Sequence, residues 1–431
     1  MKRKPHSKLT VTEDKVPTAS PIKVCMHVMG TFRTDVRAKR AAIALQEVGY
    51  EVSVIDVASH RSYAKEEEDI DGIAVKHMLM SDSFTATATR FKRGAIIRSG
   101  WMFLCSTLRL LRTTTDVFHA LDLSALPACY VASRVRRKPL IFESYELPLS
   151  TLPLSAISRG RRWLQAIMAP LLKHIIPRCA GVIAVSPPIV EEMRNRYPGS
   201  TISLLRNILP YQAVAKSDRL RQRLGLDLPV RIALYQGSLQ IDRGLDCLIH
   251  AAAFLKQDVV IVLMGKGPSE TVAQLEELIA RVGVAERVKI LPPVPYEELL
   301  DWTASADIGL LIYSPDFSPN VRMCLPNKLF EFLMAGLPVL ASQLDAVAEI
   351  INTYDVGQIV YSLAPADIGV MINTMLTETL DLERMHCNAL RAALQEFHWE
   401  KECRKLTHLY DDVLGKNETN VITRRVSTYE K

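Results

Sequence analysis

Short apolar runs rich in β-branched residues alternate with helix-length amphipathic segments along most of the chain. In the first half these runs cover residues 22–29, 51–58, 73–78, 117–122, 139–145, 181–186 and 202–207. In the second half they cover residues 231–238, 259–265, 288–293, 308–313, 337–342 and 357–361. Such runs are typical of strands buried on both faces, and helices between them are the crossovers of a parallel sheet. The alternation therefore predicts an α/β fold.

The two series of strands predict two doubly wound, Rossmann-like domains. A proline- and charge-containing interval, residues 209–229, separates the series and is the predicted linker. The first domain is predicted over residues 21–208 and the second over residues 230–397. Ligands of such sheets bind beyond the carboxyl ends of the strands, so we expect a ligand in a cleft where the two domains face each other.

The two ends of the chain are predicted to lie outside the domain cores. Residues 398–414 carry apolar side chains at a spacing of four, which predicts a closing amphipathic helix. The side chains at this spacing are Leu406, Tyr410 and Leu414. Residues 1–20 are polar and are predicted to form a flexible arm, and residues 415–431 are predicted to be a disordered tail.

The composition is that of an ordinary globular enzyme. Of the 431 residues, 48% are hydrophobic and 23% are charged, and the net charge of +6 suits an acidic ligand or an anionic membrane surface. The eight cysteines are scattered without metal-binding spacing, which indicates a reducing compartment and no structural metal. The basic N-terminus lacks an apolar signal segment, and no uninterrupted apolar stretch approaches about eighteen residues. We therefore expect a cytoplasmic protein that does not span a membrane.

Two glycine-containing loops in the second half are candidates for binding an anion. In YQGSLQIDRGLDCLIHA, Gly237 and Arg243 lie between a strand and a helix N-terminus, where unpaired amides and the helix dipole favour negative charge. In VVIVLMGKGPSE, Lys266 lies between two glycines at the end of a strand. The second motif lacks the spacing of a P-loop, and an ordinary turn would have either pattern.

The stretch CLPNKLFEFLMAGLPVLAS predicts a helix that begins at Pro326 and ends at Gly336. Apart from Lys328 and Glu331, its side chains between these two residues are almost entirely apolar. A carboxylate about one and a half turns into such a helix has three possible roles. It caps amides, pairs with Lys328, or accepts hydrogen bonds from the hydroxyls of a ligand.

Several motifs occur in a fixed order along the chain. In the second half they are Y-x-G-S-x-x-x-x-R-G-L-x-x-L-I, V-L-M-G-K-G-P, V-x-x-L-P-P-V-P-Y-E-E-L, A-S-A-D-I-G-L and L-P-N-K-L-F-E-F-L-M-A-G-L-P-V-L-A-S. In the first half they are QEVGYEVSVIDV, DVFHALDLSALPA, PLIFESYELP and AGVIAVSPPIVEEMRNRYP. Roughly residues 22–412 resemble the retaining GT-B glycosyltransferases of family 4, also called glycosyl transferases group 1. The resemblance implies a nucleoside-diphosphate sugar on the second domain and an acceptor on the first.

The resemblance implies that Glu331 binds the ribose hydroxyls of the donor. The family's partner glutamate, eight positions earlier, falls on Met323, where this chain departs from the family pattern. The loop backbone and Asn327 are then expected to contact the sugar. The base is expected to meet the backbone at residues 292–294, which leaves its identity open.

The family's phosphate clamp, an arginine followed by a lysine, falls on Ser238 and Arg243. One cation is retained, and Lys328 or Lys266 is expected to supply the other, because fixed positive charge stabilises a departing diphosphate. The remaining expected donor-binding residues are Gly30 and Gly237. The family generally works without a metal at this step, so no metal is expected, and no cofactor beyond the nucleotide-sugar co-substrate.

On the acceptor side, the family's motif after the fourth strand corresponds to His119 and Asp122. The resemblance makes them candidates for sugar contact or proton handling, and we take both as candidate catalytic residues. In the alternative interpretation they are strand-end residues whose polar groups form hydrogen bonds with the backbone. Glu143 and Glu146 are expected in acceptor-side or structural roles.

Two basic, tryptophan-containing segments, residues 90–112 and 159–178, suit helices that lie on an anionic membrane surface and bring a lipid-linked acceptor to the cleft. Ordinary packed helices with solvated arginines would look similar. No nucleic-acid partner is expected, because there is no basic-aromatic strand motif or recognition helix.

The function implied is transfer of a hexose-type sugar from a nucleotide-diphosphate sugar to a saccharide or lipid-linked acceptor, with retention of anomeric configuration. The chain is thus expected to be an enzyme of class EC 2.4. One alternative is a nucleotide-sugar epimerase or a phosphorylase of the same fold. Another is a catalytically silent partner subunit, which the departures at Met323 and Ser238 favour.

Overall fold

The computed structural model describes residues 20–59, 66–80, 92–151, 157–227, 229–240 and 243–415. Nearly all of the predicted arm 1–20 and tail 415–431 lies outside the described residues. The strands in the described ranges are β1 Lys23–Val28, β2 Glu51–Ser59, β3 Glu67–Ile70, β4 Ile73–Met80, β5 Val117–Leu121, β6 Leu140–Ser144, β7 Gly181–Ala184, β8 Ile202–Leu204, β9 Arg231–Gln236, β10 Val259–Met264, β11 Val288–Leu291, β12 Ile308–Leu311, β13 Val339–Ser342 and β14 Gly357–Val360.

Helices connect most of these strands, as the sequence predicts. In chain order the helices in the described ranges are α1 Val36–Glu47, α2 Lys92–Arg112, α3 Leu126–Arg136, α4 Arg159–Ile175, α5 Pro187–Arg196, α6 Arg219–Leu224, α7 Leu245–Ala251, α8 Ser269–Val282, α9 Leu299–Thr303, α10 Pro319–Met323, α11 Asn327–Met334, α12 Asp345–Tyr354, α13 Pro365–Thr377, α14 Thr379–Gln395 and α15 Trp399–Val413. None of these is both long and apolar enough to cross a membrane.

The first sheet has the strand order β3-β4-β2-β1-β5-β6-β7-β8 and is parallel except at β3. All seven strands predicted for this half are present. Strand β3 was not predicted, because its sequence EEDI has only one apolar residue. It pairs antiparallel with β4 at the edge of the sheet, where its carboxylates remain at least partly accessible to solvent.

The second sheet has the order β11-β10-β9-β12-β13-β14, and all of its strand pairs are parallel. Each of its six strands was predicted. Every residue of β10 and of β12 is buried, as expected for strands covered on both faces. The prediction of two Rossmann-like domains is therefore confirmed.

The predicted linker is only partly a connection. Its second half contains α6, and Leu220 of this helix is buried in the core of the second domain. Arg221 donates from Nη2 to Oδ2 of Asp307, at 2.6 Å, just before β12. This part of the interval 209–229 therefore belongs to the second domain.

The predicted closing helix is present as α15, and it packs on the first domain. Leu406, Leu409 and Tyr410 are buried in a core shared with β1 and β2. The hydroxyl of Tyr410 lies 2.9 Å from Nδ1 of His119 on β5. Helix α15 therefore completes the core of the first domain, although it follows the second domain in the sequence.

Removing the Tyr410 hydroxyl should destabilise the first domain while leaving its packing in place. In Tyr410→Phe, buried His119 loses a hydrogen-bond partner, which costs about 1–3 kcal/mol. We expect the urea midpoint of unfolding, followed by circular dichroism, to fall. Tyr361→Phe is the control, because Tyr361 is 75% exposed. Equal midpoints for the two variants would contradict a stabilising role for the buried hydroxyl.

Candidate active site

A cavity of about 690 Å³ lies between the two domains, at the carboxyl ends of their strands. We call it the cleft. The first domain contributes the segments that follow β1 and β6, and the second contributes the start of α7 and the segment from α10 into α11. The polar side chains that line it include Asp35, Arg37, Arg40, Glu146, Arg243, Asn320, Asn327 and Glu331. Gly30, predicted in a donor-binding loop, also lines the cleft.

A second cavity, of about 620 Å³, opens on the second domain beyond β9, β10 and β11. We call it the second-domain cavity. Residues from the loops after these strands line it: Gly237, Ser238, Lys266, Pro293 and Val294. Tyr296 and Glu331 line both this cavity and the cleft. The two cavities therefore meet at the carboxylate that the sequence singled out.

Glu331 is held in place by a chain of hydrogen bonds. Its helix, α11, begins at Asn327, one residue after the predicted start at Pro326. The buried side chain of Gln236 donates from Nε2 to Oε2 of Glu331 at 2.6 Å, and its own oxygen accepts from Thr303 Oγ1 at 2.7 Å. Burial raises the pKa of Glu331, although the Gln236 bond and the charges of Lys328 and Arg40 oppose the rise.

Lys328 is buried directly behind the loop after β9. Its Nζ lies 3.6 Å from the centre of the Tyr235 ring and has no hydrogen-bond partner among the described residues. Burial lowers its pKa to about 7, against the opposing charge of Glu331 and with a further lowering from Arg243. A Cβ on Gly237 would lie 3.2 Å from Nζ, so a glycine there lets the backbone approach the ammonium closely.

Two arginines bring further positive charge to the cleft from opposite sides. Arg243 lies over the ring of Tyr313, 5.3 Å from its centre, just before α7. Arg40, on α1 of the first domain, donates from Nη2 to Oδ1 of Asn207 at 3.0 Å. The sequence reasoning missed Arg40. The signal that points to it is its position one helical turn after Arg37, on the helix that follows the first strand.

Comparison with known proteins assigns the family. A family model described as Glycosyltransferase Family 4 matches residues 35–208, and one described as Glycosyl transferases group 1 matches residues 230–378. The chain belongs to family 4 of the glycosyltransferases. The two matches cover most of both domains, so the resemblance identified from the motifs is confirmed.

Relatives and solved structures agree with this assignment. A relative from Catenulispora acidiphila, named D-inositol 3-phosphate glycosyltransferase 1, is 24% identical over 84% of this chain and 87% of its own. One from Xylanimonas cellulosilytica, named D-inositol 3-phosphate glycosyltransferase, is 26% identical over 49% of each chain. The chain spans about half the length of this relative and of several other curated relatives that it matches.

The fold is shared with solved structures at low sequence identity. HepE from Anabaena, in complex with UDP and glucose, has a TM-score of 0.68 and 16% identity over 90% of this chain and 99% of that chain. Sucrose-phosphate synthase from Thermosynechococcus elongatus has a TM-score of 0.69 and 15% identity over 92% of this chain and 100% of that chain. The GT-B architecture is therefore confirmed.

The predicted donor-binding residues of this glycosyltransferase gather around the two cavities, with one exception. Ser238 and Lys266 are exposed in the second-domain cavity, and Asn327 is exposed in the cleft. Lys328 is the exception, because its side chain lines neither cavity and lies behind Gly237. A contribution from Lys328 to ligand binding therefore acts through the loop or through its charge.

The glycines beside Lys266 are explained by contact between two loops. A Cβ on Gly265 would overlap the carbonyl oxygen of Gly237, and one on Gly267 would overlap that of Leu239. The amide of Leu239 also donates to the carbonyl oxygen of Lys266 at 2.9 Å. The two glycines therefore make room for the neighbouring loop, and the binding of an anion by this loop stays a prediction.

The structure corrects the prediction that His119 contacts substrate. This side chain is fully buried within β5 and does not line the cleft. Nε2 lies 3.2 Å from Oε2 of Glu143, which also pairs with Arg37. Although burial raises the pKa of Glu143, the charge of Arg37 and the contact with His119 lower it to about 2. His119 and Glu143 are therefore structural. Glu143 holds the cleft residue Arg37 through their ion pair, and His119 contacts Glu143 on its other oxygen.

Asp122 lies beside the cleft in a left-handed conformation, with φ +69°. It does not line the cleft itself, whereas Glu146 does. Burial raises the pKa of both carboxyl groups. The charge of Asp35 adds to the rise at Asp122, and that of Asp122 adds to it at Glu146. Asp122 therefore lies near a carboxylate of the cleft, and its catalytic role stays a prediction.

Met323, which replaces the family's first glutamate, makes contact with the first domain. Its side chain packs against that domain's core, and its carbonyl oxygen accepts from Oγ of Ser186 at 2.6 Å. Nearby, Oδ1 of Asn320 accepts from the amide of Leu147 at 2.8 Å. This position is therefore part of the contact between the two domains.

Gly265→Ala should disturb the second-domain cavity by forcing its two loops apart. The new Cβ has no room beside the Gly237 carbonyl, so we expect the thermal midpoint of unfolding to fall by several degrees. Gly30→Ala is the control, because a Cβ there meets nothing within 4 Å. Differential scanning fluorimetry measures both. A Gly265→Ala midpoint equal to that of Gly30→Ala would contradict the packing role.

The free energy of unfolding should depend on pH in wild type in a way that it does not in Lys328→Met. Between pH 7 and the ordinary lysine pKa of 10.5, the unfolded chain holds a proton that the folded protein has released. Wild-type stability therefore rises with pH in this range relative to Lys328→Met, by at most about 1.4 kcal/mol per pH unit. We expect the stability of Lys328→Met minus that of wild type to decrease from pH 6.5 to pH 9.5.

The control for this measurement is Lys266→Met, because Lys266 belongs to the same region but is exposed. Its stability difference from wild type should stay constant across the same pH range, as measured by urea unfolding. A constant difference for Lys328→Met as well would show that the folded protein accommodates the Lys328 ammonium without cost.

Proposed function

We propose that this glycosyltransferase moves a hexose-type sugar from a nucleoside-diphosphate sugar to a hydroxyl group of an acceptor, with retention of configuration. The observation that carries the proposal is the position of Glu331 at the junction of the second-domain cavity and the cleft. A donor that spans both cavities has its nucleoside in the second-domain cavity and its sugar in the cleft. Its ribose hydroxyls then lie at the junction, where a fixed carboxylate accepts their hydrogen bonds.

The two cavities contain groups suited to each part of such a donor. Pro293 and Val294 line the second-domain cavity, and we assign the base of the donor to this part of it. The loop after β9 and the guanidinium of Arg243 face the position of the diphosphate, with the charge of Lys328 behind that loop. Positive charge held in place before the reaction stabilises the negative charge that develops on the leaving group.

In the proposed reaction, the acceptor oxygen forms a bond to C1 of the sugar as the bond from C1 to the diphosphate oxygen breaks. The electron pair of the broken bond stays with the nucleoside diphosphate, and the acceptor proton passes to the departing phosphate oxygen. Attack from the face that the diphosphate leaves retains the configuration and needs no enzyme nucleophile. Glu146 lines the cleft on the first-domain side, and we assign it to binding the acceptor.

Names of related proteins support a nucleotide-sugar donor. The Catenulispora relative is named for glycosyl transfer to D-inositol 3-phosphate. HepE has been solved in complex with UDP-glucose, and an Escherichia coli neighbour with a TM-score of 0.68 has UDP-2-fluoro glucose bound. UDP and UDP-glucose are therefore the first donors to test. The acceptor class proposed at this stage is a saccharide or a lipid-linked sugar.

We further propose that the protein acts at the cytoplasmic surface of a membrane as a peripheral protein. Large apolar side chains are exposed on α2 and α4, where Trp101 and Trp163 are 56% and 73% exposed. Both helices also carry arginines, a composition that suits anionic lipid headgroups. The free cysteines of the described chain support a reducing compartment.

The catalytically silent alternative rests on Met323 and Ser238, and a nucleotide-binding measurement decides it. Failure of the folded protein to bind UDP, GDP or ADP by calorimetry would favour the silent partner subunit. Binding followed by sugar transfer supports the enzyme. An epimerase would convert its donor with no acceptor present, and a phosphorylase would need orthophosphate.

Glu331→Ala should reduce sugar transfer by at least about tenfold, because it removes charge-assisted hydrogen bonds of roughly 1.5–3 kcal/mol in total. The measurement is turnover with a panel of nucleotide sugars and binding of the matching nucleoside diphosphate. Glu349→Ala is the control, because Glu349 is an exposed carboxylate on the neighbouring helix α12. Undiminished turnover in Glu331→Ala would remove the observation on which the proposal depends.

A further inference from the structure

A third cavity, of about 820 Å³, lies in the first domain between α2 and α4. We call it the helix groove. Most of its lining is apolar, and the largest of these side chains are Met102, Phe103, Leu164, Met168 and Leu171. Its volume lies within the roughly 300–1,000 Å³ of pockets that bury most of a small ligand. The donor proposed above occupies the second domain and the cleft, so this groove has no part in binding it.

The helix groove is continuous with the cleft. Glu146 and Thr151 line both cavities, and Asp122 lines the groove close enough to Glu146 for its charge to raise the pKa of that carboxyl group. The two carboxylates therefore mark the point where the groove opens into the cleft. A molecule in the groove presents its polar end at this point, where the proposed reaction needs an acceptor hydroxyl.

The groove also contains positive charge away from the donor. Arg98 of α2 and Arg161 of α4 line it from opposite walls. Nε of Arg98 is buried and has no hydrogen-bond partner among the described residues. A buried guanidinium nitrogen without a partner favours an anion, and a phosphate group satisfies an arginine well because it accepts two parallel hydrogen bonds.

From these features we infer that the acceptor is an anionic amphiphile, in which a hydrocarbon chain is joined through phosphate to a hydroxyl-bearing head. The chain lies in the helix groove between α2 and α4, the phosphate contacts Arg98 and Arg161, and the hydroxyl reaches Asp122 and Glu146. The inference rests on the proposed function and narrows its acceptor from a saccharide or a lipid-linked sugar to one chemical class.

Both helices offer matched pairs of side chains for a test. On α2, Phe103 lines the groove and is 41% exposed, whereas Leu104 does not line it and is 47% exposed. On α4, Leu164 lines the groove and is 59% exposed, whereas Ile167 does not line it and is 62% exposed. A charge introduced at either member of a pair is similarly exposed to solvent. Only the charge at the lining position contacts a hydrocarbon chain in the groove.

The first measurement is calorimetric binding of hexyl, octyl and decyl phosphate to the wild-type chain, below their micelle concentrations. Each methylene added to a buried chain should tighten binding by up to about fourfold. Octanol, which lacks the phosphate, should bind at least tenfold more weakly than octyl phosphate. Affinity that is independent of chain length, or equal for octanol and octyl phosphate, would overturn the inference.

The second measurement compares the variants in binding decyl phosphate. We expect Phe103→Asp and Leu164→Asp to lose at least tenfold in affinity, and Leu104→Asp and Ile167→Asp to stay within twofold of wild type. Thermal unfolding midpoints identify any variant that fails to fold, and the wild-type chain series decides the question in that case. Equal losses in all four variants would overturn the inference. They would indicate instead an apolar surface that contacts a bilayer or another protein.

Failure of this inference can be told apart from failure of the proposed function. UDP binding and transfer to a soluble saccharide, without binding of any alkyl phosphate, would overturn only the inference that the acceptor is an anionic amphiphile. Failure of the wild type to bind any nucleoside diphosphate would overturn the proposed function, whatever the alkyl phosphates do.

Discussion

The contact between the segment 318–324 and the first domain determines the geometry of the cleft. The buried amide of Leu147 donates to Oδ1 of Asn320, and Oγ of Ser186 donates to the carbonyl oxygen of Met323. Buried polar groups that lose such partners cost free energy, so these bonds favour one arrangement of the two domains. Because α11 follows directly, this arrangement also decides which first-domain groups Glu331 faces.

Within that geometry, burial favours the uncharged form of each ionisable group. It raises the pKa of Glu331 and of Glu146, and it lowers that of Lys328 to about 7. Each group thus bears a desolvation cost that a hydrogen-bonding or charged ligand would reduce. The proposed donor supplies hydroxyls for Glu331 and phosphate for the cations, and the proposed acceptor supplies a hydroxyl for Glu146. Perturbed titration at one concave site is typical of functional residues.

The fold was more predictable than the site. All thirteen predicted strands are present, because buried parallel strands are recognisable as uninterrupted apolar runs. The exception, β3, is a charged edge strand that lacks this signal. For the site, the position of Glu331 followed from its motif, and Arg40 was missed. His119 was misplaced because its partner Tyr410 is 291 residues away in the sequence.

The sequence by itself determined the two α/β domains, the family, and the glutamate within α11, since each depends on local pattern or motif order. Only the tertiary structure decided that Met323 belongs to the contact between domains, that Gly265 accommodates a neighbouring loop, and that α2 and α4 enclose a groove that opens beside Glu146. The physical reason is that these properties depend on which distant segments meet, and packing settles that only when both domains are assembled.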